Sequence, residues 1–190
     1  MATDIHVPEH IADYVKLYQF LDQEFCTNTV KSIADVNWQK HTYYDYGSNQ
    51  HRSYDDDLSI NTGANPFKTL IQHRLWAPIK QYVQELEMSW FDSWNGFSDI
   101  RFNRYAPGTN MKLHCDHIQS LFDGSIKGIP TLTVLGLLNN DYQGGELELC
   151  GEIVNINPGE VIIFPSNFMY PHRVKTVTQG VRYSYVSWVY

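Results

Sequence analysis

From Gly96 to the last residue the chain divides into short runs rich in β-branched and aromatic residues: FSDIRFNRY, PTLTVLGLLNN, GGELELCG, EIVNINPG, EVIIFPS, YPHRVKTV and GVRYSYVSWVY. Gly, Pro, Asn or Asp separates them, and no helix of useful length fits between. A βαβ layout would need ~10–15 helical residues in each connection, so this spacing predicts antiparallel strands in a sandwich or barrel. At 190 residues the chain is close enough to a typical domain size to predict one domain, 1–190. Within it, 1–96 are expected to be a helical and loop support and 97–190 the β core. The fold class is mainly β with flanking N-terminal helices.

Residues 9–35 show helical spacing at Ile11, Tyr14, Val15, Tyr18, Leu21 and Phe25, which predicts a helix. Between Trp38 and Ala64 no period persists, and the segment reads as a loop or a pair of edge strands joined by a mobile loop. The acidic run Asp55 to Asp57 reads as a solvated turn. A second amphipathic segment starts at Asn65-Pro66 and runs to about Met88, with Leu70, Leu75, Ile79, Val83 and Leu86 on its apolar side and Pro78 as a kink point. These helices are expected to cover one outer face of a sheet.

Composition narrows the classes of partner. Hydrophobic residues make up 43% of the chain and charged residues 18%, enough apolar material for a sizeable core. Lys and Arg total 14 against 21 Asp and Glu, a formal charge of −7 without a basic block, so direct nucleic-acid binding is not expected. Cys26, Cys115 and Cys150 form no CxxC pair and read as reduced thiols. The first residues lack the pattern of a secretory signal. The longest apolar stretch, LTVLGLL, is far short of the ~20 residues that span a bilayer. No membrane partner is expected, and the expected location is cytoplasmic.

Chemistry concentrates in three places. In RYAPGTNMKLHCDH, His114 and Asp116 are two apart, so an extended chain directs both side chains to one side; taken alone, His114 reads equally as a surface histidine. His172 follows in YPHRV, on a later strand. Two neutral imidazoles and a carboxylate on one face of a divalent ion make the facial triad of non-haem Fe(II) oxygenases, which keeps the remaining positions open. His117 would fill such a position and reads as structural. Alternation in GVRYSYVSWVY puts Arg182, Ser184, Val186 and Trp188 on one face. If that face is internal, Arg182 is a buried cation that needs an anion, and an external dicarboxylate fits its fork. If it is external, Arg182 is an ordinary strand charge. Thr133, Leu135 and Leu137 share a face on which a short methylene chain would pack, with Thr133 or Ser184 donating to a carboxylate; barrel core explains the leucines as well. Tyr105 offers a phenol to the metal-proximal carboxylate, or packs at an edge.

Four stretches in this order, RYAPGTNMKLHCDH, TLTVLGLLNNDYQGGELEL, INPGEVIIFPSNFMYPHRV and GVRYSYVSW, resemble the Fe(II)- and 2-oxoglutarate-dependent dioxygenases, in particular the prolyl 4-hydroxylase-like group with its small bacterial and phage members. The resemblance covers about residues 100–190 and implies a double-stranded β-helix, a jelly-roll, cupin-like barrel. It implies His114, Asp116 and His172 as iron ligands, and Arg182 on the distal carboxylate of 2-oxoglutarate. It further implies Tyr105 at the other end of that cosubstrate and Trp188 in the pocket wall. Leu137 stands where some prolyl hydroxylases have a second tyrosine, which leaves Thr133, Ser184 or water to complete the distal contact. The implied cofactors are Fe(II) and 2-oxoglutarate with O₂ as cosubstrate and ascorbate as a possible reductant. The implied reaction is hydroxylation of an unactivated C–H, foremost in a peptidyl prolyl residue, with release of succinate and CO₂. Another peptide or protein side chain or a small molecule is the alternative substrate, and a non-catalytic jelly-roll binding or virion-associated protein the alternative class.

Overall fold

A computed structural model describes residues 9–45, 47–87, 96–116 and 130–190. The N-terminal half holds α1 (Glu9–Ala12), β1 (Lys16–Gln19), α2 (Gln23–Ile33), β2 (Gln39–Lys40), β3 (Tyr43–Asp45), β4 (Gln50–Arg52), β5 (Ser59–Asn61), α3 (Pro66–Arg74) and α4 (Trp76–Glu85). Then come β6 (Arg101–Tyr105), β7 (Met111–His114), β8 (Leu132–Leu137), β9 (Gln143–Gly144), β10 (Leu147–Leu149), β11 (Glu152–Val154), β12 (Glu160–Pro165), β13 (His172–Val174), β14 (Val177–Gln179) and β15 (Arg182–Val189). A seven-stranded sheet runs β1-β12-β8-β15-β6-β5-β2 and a four-stranded sheet runs β11-β10-β13-β7. Their strands pair antiparallel, as the strand spacing predicts, and the two sheets make the jelly roll that the resemblance implies.

Two apolar layers explain why the central strands are buried on both faces. Along β8, Val134 joins a cluster with α2, α3 and α4 through Ile33, Ile71 and Ile79, whereas the next residue, Leu135, joins the cluster between the sheets with Leu147, Leu149 and Val174. Ile163 and Ile162 of β12 divide in the same way. Period-2 alternation thus supplies one face to the helices and the other to the barrel, and each such side chain contributes roughly 1.5–3 kcal/mol on burial. At Gly136 the ring of Tyr185 lies where a Cβ would stand.

Three expectations for the N-terminal half change. The stretch 9–35 is two helices separated by β1, which pairs with β12 at the end of the large sheet. The helix cannot run through because Phe20 and Leu21 N–H groups both donate to the carbonyl of Gly159, while Asp22 caps α2 by accepting from Phe25 N–H at 2.7 Å. The segment 65–88 breaks at Leu75 into α3 and α4: Pro78 has no N–H for the Arg74 carbonyl, and its ring crowds that turn. Within α3 it is Ile71 that is fully buried, while Leu70 is exposed. Asp57 is no solvated turn residue; it is buried, and it accepts from the Tyr43 hydroxyl at 3.1 Å and from Tyr54 N–H.

The segment 38–64 takes the edge-strand alternative. β2 and β5 extend the large sheet beyond β6, and β3 and β4 form a hairpin. The N-terminal half therefore supplies three strands of the large sheet as well as the covering helices.

Candidate metal centre

β7 ends at His114, β13 begins at His172, and the two residues stand opposite each other in the ladder. Their rings lie 4.3 Å apart between centroids. Each Nδ1–H donates to a main-chain carbonyl two residues earlier, His114 to Lys112 at 2.7 Å and His172 to Tyr170 at 3.1 Å. These bonds fix the tautomer and leave both Nε2 lone pairs free to coordinate. They point at Asp116: His114 Nε2 is 3.2 Å from Oδ1 and His172 Nε2 3.5 Å from Oδ2. The ligand atoms of all three residues lie within 4.8 Å of one another.

The carboxylate is held from behind. Thr133 Oγ1 on β8 donates to Asp116 Oδ2 at 2.8 Å and lies 2.8 Å from the Ser166 hydroxyl. Burial works to raise the Asp116 carboxyl, but the two imidazoles outweigh it and hold the group well below the ordinary carboxylate range. Burial lowers His172 against the pull of Asp116 and so keeps its imidazole neutral. The cluster thus offers two imidazole nitrogens and one carboxylate oxygen, a donor set suited to a divalent ion.

Arg182 lies in the same inter-sheet space. It is completely buried, so the internal reading of its strand face holds. Nη1 donates to Ser184 Oγ at 3.0 Å, while Nε and Nη2 have no partner among the described residues. Tyr105 sits directly across the ladder, with its ring centroid 5.1 Å from the guanidinium carbon. Its phenol is within electrostatic reach of both Arg182 and Asp116. Ser184 faces Leu137, and Leu135 and Leu137 are both buried. Trp188 pairs with Thr133, and its indole nitrogen is buried beside the Asp116 side of the site. Thr133 differs from one expectation: its hydroxyl is committed to Asp116, so Ser184 alone of that pair contacts Arg182. His117 lies outside the described residues.

Two site residues escaped the sequence reading. His41 follows β2, is 7% exposed, and has an Nδ1 without a partner among the described residues. Burial, then the charges of Arg101 and His114, push its imidazole down to about 3. Arg101 opens β6; its Nε donates to Asn103 Oδ1 at 3.1 Å and its guanidinium carbon lies 4.8 Å from the Trp188 ring centroid. Alternation counted back from Tyr105 through Asn103 to Arg101 was available as a signal for the arginine. No motif marks His41, which reaches the site because β2 and β5 join the sheet beside β6.

Residues 100–190 match the family model described as the 2OG-Fe(II) oxygenase superfamily. A PKHD-type hydroxylase of Crocosphaera subtropica is 32% identical over 95 residues, which is 48% of this chain and 42% of that protein. The chain thus spans less than half the length of this curated relative. Among solved structures, a prolyl hydroxylase from Trichoplax adhaerens, in complex with a hypoxia inducible factor oxygen degradation domain peptide fragment, aligns at a TM-score of 0.69 and 19% identity over 97% of this chain and 86% of its own. A viral collagen prolyl hydroxylase of Paramecium bursaria Chlorella virus-1, in its 2OG complex, aligns at 0.65 and 15% identity over 93% and 94%. These likenesses bear out the jelly-roll fold and the resemblance carried by the sequence motifs.

Proposed function

We propose that this protein is an Fe(II)- and 2-oxoglutarate-dependent hydroxylase of an unactivated C–H, with a prolyl residue of a peptide as its substrate. One observation carries the reading: a fully buried arginine, with two nitrogens that find no partner among the described residues, stands across the ladder from Tyr105, whose phenol is within electrostatic reach of both Arg182 and the Asp116 carboxylate of a two-histidine, one-carboxylate cluster. A lone buried cation is costly without an anion, and the sheets place no carboxylate on it, so an incoming carboxylate is its natural partner. His114, Asp116 and His172 would hold the metal, and a three-residue donor set leaves coordination positions open. Arg182 would clasp the distal carboxylate, Leu135 and Leu137 would pack against the methylenes, and the Tyr105 phenol would donate towards the metal-proximal end. Once bound, Fe(II), 2-oxoglutarate and O₂ supply the oxidising power, with succinate and CO₂ as coproducts and ascorbate as an external reductant. The chain itself positions and shields: Thr133 and Ser166 orient the Asp116 carboxylate, and the two main-chain carbonyls orient the imidazoles. The prolyl substrate is supported by the likeness to prolyl hydroxylases, one of them in complex with a peptide fragment.

The test is anaerobic reconstitution with Fe(II) and 2-oxoglutarate, followed by O₂ and a peptide library read by mass spectrometry for a gain of one oxygen. Wild type should bind about one ion, and His114→Ala and His172→Ala should each lose most of that binding. Unchanged metal affinity in both variants, or no binding of 2-oxoglutarate to the loaded protein, would overturn the reading.

A further inference from the structure

Arg101 and His41 take no part in the scheme above, yet both face the same space. Arg101, Asn103 and Tyr105 form one inward row on β6; Asn103 and Tyr105 are buried, and Arg101 is partly exposed at the outer end. The Arg101 guanidinium lies against Trp188, and Trp188 lies opposite Thr133, whose hydroxyl holds Asp116. This chain of contacts sets Arg101 beside the metal cluster, on the side away from Arg182. Among the described residues Arg101 makes no ion pair, and its one hydrogen bond, to Asn103, leaves the terminal nitrogens of its fork uncommitted. His41 adds a buried ring nitrogen without a partner in the same neighbourhood.

A charge count shows what this pair lacks. In the loaded site the two positive charges of Fe(II) and the one on Arg182 balance the single charge of Asp116 and the two of 2-oxoglutarate. The histidines add nothing while neutral. The guanidinium of Arg101 is the cation left over, and a partly buried arginine favours a carboxylate that it can grip with two parallel N–H bonds.

We propose that Arg101, with His41, is a second anion-binding point at the mouth of the site, and that the molecule oxidised there carries a carboxylate close to the reacting carbon. This rests on the hydroxylase reading and narrows its substrate class. The carboxylate has two possible sources, the α-carboxylate of the oxidised residue itself or the side chain of an acidic neighbour in a peptide.

The experiment measures binding to protein loaded with Zn(II) and 2-oxoglutarate, which needs no turnover. The probes are N-acetyl-L-proline, acetyl-aspartyl-proline amide and the neutral N-acetyl-L-prolinamide, titrated by calorimetry into wild type, Arg101→Gln, Arg101→Met and Arg101→Lys. Wild type should prefer at least one acid over the amide by about tenfold or more, the worth of one charge-assisted contact. The preferred acid identifies the source. Arg101→Gln and Arg101→Met should lose the preference, Arg101→Lys should keep part of it, and 2-oxoglutarate affinity should stay within about twofold in all three, since Arg182 is separate. Wild type that binds the amide as tightly as both acids, wild type that binds no probe, or an undiminished preference in the neutral variants would overturn the inference. Failure of wild type to hold metal or 2-oxoglutarate would instead bring down the hydroxylase reading, and this inference with it.

Discussion

Replacing Arg182 by methionine should make the protein more stable and unable to hold its cosubstrate. The guanidinium is fully buried, with one hydrogen bond to Ser184, a stacking contact on Tyr105 and two nitrogens without protein partners among the described residues. Each unsatisfied buried donor costs about 1–3 kcal/mol, whereas the lost hydrogen bond and stacking contact are together worth about 2–4 kcal/mol. Substituting an apolar side chain for buried ionic groups is also stabilising by about 1–4 kcal/mol in comparable cases. A net gain of about 2 kcal/mol follows, or about 4–8 °C in melting temperature for a chain of this size. With metal and 2-oxoglutarate the order should reverse. Wild type gains about 2.7 kcal/mol at a ligand concentration one hundred times its Kd. Arg182→Met, having lost the partner of a desolvated carboxylate, should bind about 30-fold to several thousandfold more weakly and gain little. Paired thermal melts with and without 2-oxoglutarate, in Zn(II)-loaded protein, read both effects. An Arg182→Met protein that melts below wild type without ligand and rises as far as wild type with it would refute the reasoning.

Thr133→Val keeps the β-branched shape but removes the donor to Asp116, so metal affinity should fall about 10- to 100-fold with little change in circular dichroism; unchanged affinity would separate Thr133 from the centre. His41 titrates at 6.5 when free and is pushed down to about 3 in the fold, so its share of stability is present above the unfolded value and is lost as pH falls towards the folded one. Between pH of about 7 and about 5 the loss should be about 2 kcal/mol in urea titrations, and His41→Leu should flatten the slope by that amount; the buried His172 adds loss of the same sign and is retained in the variant. Gly136→Ala would drive a methyl group into the buried Tyr185 ring and should cost about 1–3 kcal/mol in melts while leaving metal binding intact, because the collision lies on the helix side of the sheet.

The metal cluster and Arg182 were legible because their signals are local. The two-residue spacing puts His114 and Asp116 on one side of an extended chain, and strand geometry puts Arg182 on one face with Val186 and Trp188, while the ordered motifs of the resemblance joined these into one site. What failed to show depends on partners distant in sequence. Lys16–Gln19 is a strand because β12 presents an open edge some 140 residues later, and a four-residue strand cannot outweigh the helical spacing around it. Asp57 looks like part of an exposed acidic run until Tyr43 and Tyr54 close over it. His41 and Arg101 meet only after β2 and β5 have extended the sheet, a juxtaposition that no spacing within either segment encodes.

The opposition of His114 and His172 has a mechanical side. Among the described residues β7 is the outermost strand of the small sheet, and β13 is its one neighbour there. Near the bulge that shifts the register between His172 and Val174, the ladder at this border is irregular. On the proposed reading, an ion shared by both imidazoles would be a rivet through that border, fastening points far apart in the chain. Loading the metal would then tighten the rim of the barrel before any substrate arrives.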